Sequence, residues 1–243
     1  ERTSGDVALC NLASINIYEW YYSTPEEQQE IAQCAVDALD LAIEFGICPV
    51  TEGQITNDEY KYMGIGLTNL TNLLASQQIA IDTKAAAEFQ AELMDNLSYM
   101  LYRASMLRAK KLGAFKQFKN TKWAEGLTPV HMSLKHFPQA WELTEYGRNF
   151  VSSGKLDRWN ELGEEIKQYG IRNAQVMAIA PTASSGIPIF SRKLNILCSL
   201  KSSMRPSRFI NLISLIVFNI LSPYSLKLRM LRILLQFPLA CFV

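Results

Sequence analysis

The run GDVALCNLASINI, residues 5–17, constrains the chain more than any other. It reads as one continuous apolar strand, interrupted at its centre by Cys10 and followed by small polar residues. A strand of this kind is stable only inside a larger core, and the chain has the material for one. Its 243 residues are 49% hydrophobic and 19% charged, enough for one large core or two small ones. The formal net charge of +1 leaves no basic footprint of the kind that nucleic-acid binding requires. On the residues alone, Cys10 reads as a small buried hydrophobe.

The five cysteines, Cys10, Cys34, Cys48, Cys198 and Cys241, are widely spaced. They have neither the paired spacing of a zinc site nor the density of a secreted disulfide scaffold, so a reducing, cytoplasmic compartment is expected. His131 and His136 stand five apart in HMSLKHF, without the glutamate and spacing of a metalloprotease helix. They read as solvated loop residues, and no metal site is expected. The sequence begins at Glu1 and enters its first strand almost at once, so it reads as an internal piece of a longer protein.

Between the strand-like ends the sequence is mostly helical. STPEEQQEIAQCAVDALDLAIEFG places Thr24 as N-cap, Pro25 at the first helical position and Glu27 as the reciprocal member of a capping box. Ile31, Ala35, Leu39 and Ile43 then form an apolar stripe with Cys34 as filler beside it, and Gly46 ends the helix. Gly64 and Gly66 read as the entry to a shorter helix, where close packing accounts for them without a dinucleotide fingerprint. A long helix is expected from Asp82 to Leu112, with Phe89, Leu93, Leu97, Met100, Leu101 and Leu107 inward, Lys110 and Lys111 in its last turn and Gly113 as the stop. The stretch around Pro129 and Pro138 reads as loop-rich, and a further helix runs from Asp157 to Gly170.

A second apolar strand, Gln175 to Ala180, ends in Pro181, Thr182, Ala183, Ser184 and Ser185. A strand ending in small hydroxyl residues can offer free backbone N–H groups to an anion, although a turn and N-cap without a ligand read as well. Beyond Gly186 the character changes. Residues 187–243 carry eight Lys or Arg and no Asp or Glu, around apolar runs such as FINLISLIVFNIL. That composition fits a basic, membrane-seeking tail, but the run is thirteen residues long and Pro206, Pro223 and Pro238 interrupt any long helix.

Taken in order, GDVALCNLASINI, YMGIGLTNLTNLLA and GIRNAQVMAIAPTASS resemble the large, catalytic subunit of class I ribonucleotide reductase. The resemblance covers residues 5–185. It implies an α/β fold, a fragment of the family's ten-stranded α/β barrel that is helix-rich in this segment. It divides the chain into a partial catalytic barrel domain, 1–186, and a tail, 187–243, without family resemblance. It also implies reduction of ribonucleotides to deoxyribonucleotides by radical chemistry.

By the match to the family's strand motif, Cys10 is one member of a redox-active cysteine pair that supplies two electrons and is restored by an external dithiol. Pro181, Thr182, Ala183, Ser184 and Ser185 correspond to the segment that holds the substrate's diphosphate. The implied partners are a ribonucleoside diphosphate, a metal-containing small subunit that supplies the radical, a thioredoxin- or glutaredoxin-like reductant and, in the full-length large subunit, a second copy. No cofactor is expected on this segment itself. The family's Asn-x-Cys-x-Glu radical loop would precede Glu1, and the partner cysteine, the allosteric regions, the radical-transfer tyrosines and the C-terminal cysteine tail have no match here. The fragment is therefore expected to be inactive alone. Cys241, in LACFV, lacks the paired cysteine and polar setting of that tail. Loss of resemblance and loss of acidic residues coincide at Gly186, so residues 187–243 read as frame-shifted or intervening sequence. The competing reading is a non-catalytic helical protein whose basic tail binds a membrane or a partner.

Overall fold

The computed structural model describes Val7, residues 9–48 and residues 50–182. The expected boundary at Gly186, the tail beyond it, and Ala183, Ser184 and Ser185 lie outside the described residues.

Strand β1 (Asn11–Asn16) runs directly into helix α1 (Ile17–Tyr21), followed by α2 (Pro25–Phe45) and α3 (Thr51–Tyr60). Strand β2 (Met63–Thr68) returns parallel to β1, with Leu12 opposite Gly64 and Ser14 opposite Gly66. Helices α4 (Leu70–Ser76), α5 (Lys84–Leu112), α6 (Pro129–His136), α7 (Pro138–Leu143), α8 (Glu145–Ser152) and α9 (Lys155–Tyr169) follow. The chain then passes along the free side of β2, where Ile65 and Met177 form a parallel bridge. Both connections between neighbouring strands are thus helical crossovers, the construction that a parallel α/β sheet requires.

The opening strand is shorter than its sequence suggests. It begins at Asn11, so Cys10 stands just before the first ladder pair instead of at mid-strand. The reading of Gly64 and Gly66 as a helix entry is overturned: both lie inside β2, and the helix begins only at Leu70. Five of the six β2 residues are buried, so the strand has no polar alternation to betray it. The strand expected over Gln175 to Ala180 is reduced to the one bridge. Its backbone bonds to β2 run from Met63 N–H to Gln175 O (3.0 Å), from Ile65 N–H to Val176 O (2.8 Å) and from Ala178 N–H to Ile65 O (3.4 Å), the last being the longest.

The helices obey their local signals. Thr24 Oγ1 accepts from Glu27 N–H at 3.3 Å while the Glu27 carboxylate accepts from Thr24 N–H at 2.9 Å, a closed capping box. Gly46 N–H bonds Ala42 O at 2.9 Å and so ends α2. Thr83 caps α5 one residue later than the Asp82 start, and Gly113 stops it with φ +84°. Ile31, Ala35, Leu39 and Ile43 of α2 meet Leu93, Leu97 and Leu101 of α5 in the core, while Phe89, Met100 and Leu107 are only partly buried. Helix α9 brings Trp159, Leu162 and Ile166 to the same core, with the Trp159 indole N–H donating to Asp95 at 2.8 Å.

The loop-rich expectation for the Pro129 and Pro138 region is also corrected, because both prolines open helices at positions where no N–H is needed. His131 is not a solvated loop residue. Its Nδ1 accepts from Thr128 N–H at 3.1 Å, and its Nε2 pairs with Asn160 at 2.8 Å, tying α6 to α9.

Asp40 of α2 is a fully buried carboxylate. It accepts from Arg108 of α5, from Arg172 Nε at 3.3 Å and from Asn173 Nδ2 at 3.2 Å. Arg172 also reaches Glu44 at 2.9 Å and the carbonyls of Leu112 and Gly113. Removing one member of such a cluster strands the others without partners in a low dielectric. Asp40→Ala is therefore expected to cost about 3 kcal/mol of stability. A urea unfolding series on the full chain measures it, and an unchanged midpoint would mean that the cluster contributes nothing.

Candidate active site

Beside Cys10 the sheet is stripped of side chains. Gly64 lies opposite Leu12, and a Cβ added to it would come within 2.7 Å of Leu12 Cδ2, 2.8 Å of Ala178 Cβ and 2.9 Å of Cys10 Sγ. All three are closer than atoms can pack, so glycine is required for the thiol, β1 and the 175–178 segment to meet over one residue. At Gly66 the added Cβ would lie 2.6 Å from the carbonyl oxygen of Ala178. There the glycine lets the backbone of the third segment approach β2.

Cys10 is exposed but rests against this surface, and its partial burial pushes the thiol above the ordinary cysteine value. It is therefore mainly a protonated thiol at neutral pH. Cys34 is half-buried in α2, where burial and the nearby Asp37 raise its thiol as well. Cys48 is half-buried and stands, with Leu9, against Gly53 of α3. Cys10, Cys34 and Cys48 are all free thiols, so the second thiol of a pair with Cys10 is not found bonded to it among the described residues.

Of the five residues in the 181–185 turn, the structure describes two. Pro181 is exposed and Thr182 is half-buried, both at the far end of the segment that starts at Asn173. Cys10 and this segment come together at Gly64, because Cys10 Sγ and Ala178 Cβ face the same position from opposite sides. The carboxyl ends of the parallel strands are polar: Asn16 and Thr68 are buried there, and Asn69 donates to Asn16 at 3.0 Å. In parallel α/β sheets this is the end where ligands bind. A cleft of about 290 Å³ bordered by Tyr60, Trp123, Pro129 and Met132 opens elsewhere, and Cys10 does not line it.

Among the described residues no group of three His, Cys, Asp or Glu side chains is arranged to hold a metal ion. No helix among them is long and apolar enough to cross a membrane. Sequence reasoning assigned Gly64 and Gly66 to the wrong element and gave Asn173 no role. The signal for the glycines was present, since small residues recur with a period of two in Gly64 and Gly66 and again in Ala178 and Ala180.

The comparisons with known proteins agree with this architecture. The family described as "Ribonucleotide reductase, barrel domain" matches residues 1–191. The chain is 33% identical over 198 residues to the ribonucleoside-diphosphate reductase subunit alpha of Helicobacter pylori, covering 78% of this chain and 24% of that protein. It is 31% identical over 191 residues to the subunit of that name from Mycoplasma pneumoniae, covering 76% and 26%. With the Synechocystis protein of that name it shares 29% over 199 residues, covering 77% and 23%. The chain thus spans about a quarter of the length of these relatives. It belongs to the ribonucleotide reductase barrel-domain family.

Proposed function

We propose that this chain is part of a ribonucleoside-diphosphate reductase, in which Cys10 is one thiol of the redox pair and the 181–185 turn cradles the substrate's diphosphate. The observation that carries the reading is the meeting of Cys10 Sγ and Ala178 over Gly64. It sets a free thiol beside the segment that leads, four residues on, to Thr182. A turn at the end of such a segment supplies backbone N–H and hydroxyl donors to a phosphate without the mobility of long cationic side chains.

The chemistry balances through the thiol pair. Loss of the substrate's 2′-hydroxyl as water and its replacement by hydrogen consume two electrons and two protons. Oxidation of two thiols to a disulfide releases the same number. An external dithiol then reduces the disulfide by exchange, becoming oxidised itself. The second thiol, the radical loop and the radical source belong to other parts of the reductase in this reading, and the metal resides in a small partner subunit. The whole enzyme would work in the cytoplasm as a homodimer of its large subunit, with no nucleic-acid partner and with a thioredoxin- or glutaredoxin-like protein as reductant. In this reading residues 1–186 are the part that belongs to the catalytic barrel domain, and residues 187–243 are a tail of frame-shifted or intervening sequence.

In the intact reductase, Cys10→Ser is expected to abolish multiple turnover with a dithiol protein as reductant. Undiminished cycling would remove Cys10 from the pair.

The raised thiol gives a separate test on the chain itself. Thiolate appears only as pH rises through the shifted value, so alkylation of Cys10 by iodoacetamide, followed on its own peptide, should be slow at neutral pH. Its inflection should lie above the ordinary cysteine value in the folded chain and fall back toward that value in urea. The same inflection in both states would mean that the surface around Gly64 does not shield the thiol.

A further inference from the structure

The segment that bears the turn is held to the core near its start by Val176, which is fully buried, and by Met177 packed beside it, and beyond them the residues that meet β2 are small. It meets β2 with the Ala178 methyl at Gly64 and with the backbone of Ala178 and Ala180 at Gly66, and flat, glycine-rich pairings hold register poorly. A slip of one residue would move the turn by about 3.3 Å and reverse its faces. Directional bonds upstream add to the hold of Val176 on the register, and one residue there has the required contacts.

Asn173 is fully buried, and its side-chain amide bonds to three other elements. Its Nδ2 donates to Asp40 of α2 at 3.2 Å and to the carbonyl of Lys61 at 3.2 Å. Its Oδ1 accepts from the Ser105 hydroxyl of α5 at 2.8 Å, and its backbone N–H donates to the same Oγ at 3.2 Å. The neighbouring backbone continues the pattern, Arg172 N–H bonding Ser105 O at 3.3 Å and Ala174 N–H bonding Tyr60 O at 2.9 Å. Lys61, with φ +50°, is the left-handed turn from which β2 departs two residues later. One side chain therefore grips the start of β2, the core carboxylate and α5 at the point where the third segment begins.

We propose that Asn173 is a positioning residue that pins the 174–182 segment in register against β2, and so sets where the turn meets a nucleoside diphosphate. This rests on the reading of that turn as the phosphate cradle. The pin acts through the segment and touches no substrate, so its loss should weaken binding more than chemistry.

The test uses the intact reductase and separates KM from kcat for a ribonucleoside diphosphate. Asn173→Ala is expected to raise KM about tenfold, the equivalent of one to two net hydrogen bonds, with kcat within about twofold. Ser105→Ala, which removes the hydroxyl but leaves the amide in place, should raise KM about threefold and carries the test if Asn173→Ala does not fold. Leu97→Ala, a core truncation that costs stability and removes none of the hydrogen bonds of Asn173 or Ser105, serves as the control and should leave KM unchanged. If the folded Ser105 and Asn173 variants keep the parent KM, or if Leu97→Ala raises KM as much, the pin is overturned. Thr182→Val and Ser184→Ala test the reading beneath it. If they too leave KM unchanged, the phosphate cradle falls and the inference falls with it; if they raise KM while the Asn173 and Ser105 variants do not, only the pin fails.

Discussion

The rest of the structure depends on how Asp40 is paid back for leaving water. A carboxylate with no exposure is stable only when its lone pairs are filled, and here two guanidinium groups and a carboxamide fill them. Those partners come from α5 and from residues 172–173, so satisfying one charge joins the first crossover to the second. Arg172 extends the joint by taking the carbonyls at the end of α5, which no intrahelical donor can reach. Lys61 and Glu44, paired at 2.6 Å, close the same cluster where α3 turns into β2. β2 and the segment after Asn173 are thereby held at their starts by polar bonds, while β1 and β2 rest on α2 in the apolar core.

How much of this could be read in the sequence follows the range of the forces involved. The limits of α2 were legible because its capping box and proline act within four residues, and the end of α5 was legible because Gly113 takes a positive φ. Helix α6 was missed although Thr128 and Pro129 signal its start, since the usual glutamate of the box is replaced by His131. Strand β2 was misassigned because burial on both faces removes the alternation that marks a strand, and its glycines were read as the closely packed entry to a helix. The family motifs made Cys10 and the 181–185 turn candidates. The contact of Cys10 with Gly64 depends on strand register and could not be read from spacing. The Asp40 cluster spans 133 residues between Asp40 and Asn173, and no local pattern announces a bond of that separation.

The same glycines that admit the thiol create the need for the polar joint. A side chain at position 64 would have locked β2 to its neighbours by interdigitation, as packed strands usually do, but it would have occupied the space of Cys10 Sγ and Ala178. With hydrogen in its place, the two neighbouring strands approach closely and position 64 adds nothing against sliding. Resistance to sliding then comes from the buried side chains around it, such as Ile65 and Val176, and from directional bonds beyond the bare surface. Those formed by Asn173, Ala174 and Arg172 lie there, at the buried end, leaving the opposite end of the segment free of comparable ties among the described residues. A face of small residues beside a thiol and a buried polar cluster are in this sense two halves of one solution. Space for a thiol is opened in the sheet, and order is restored to it from the starts of the strands.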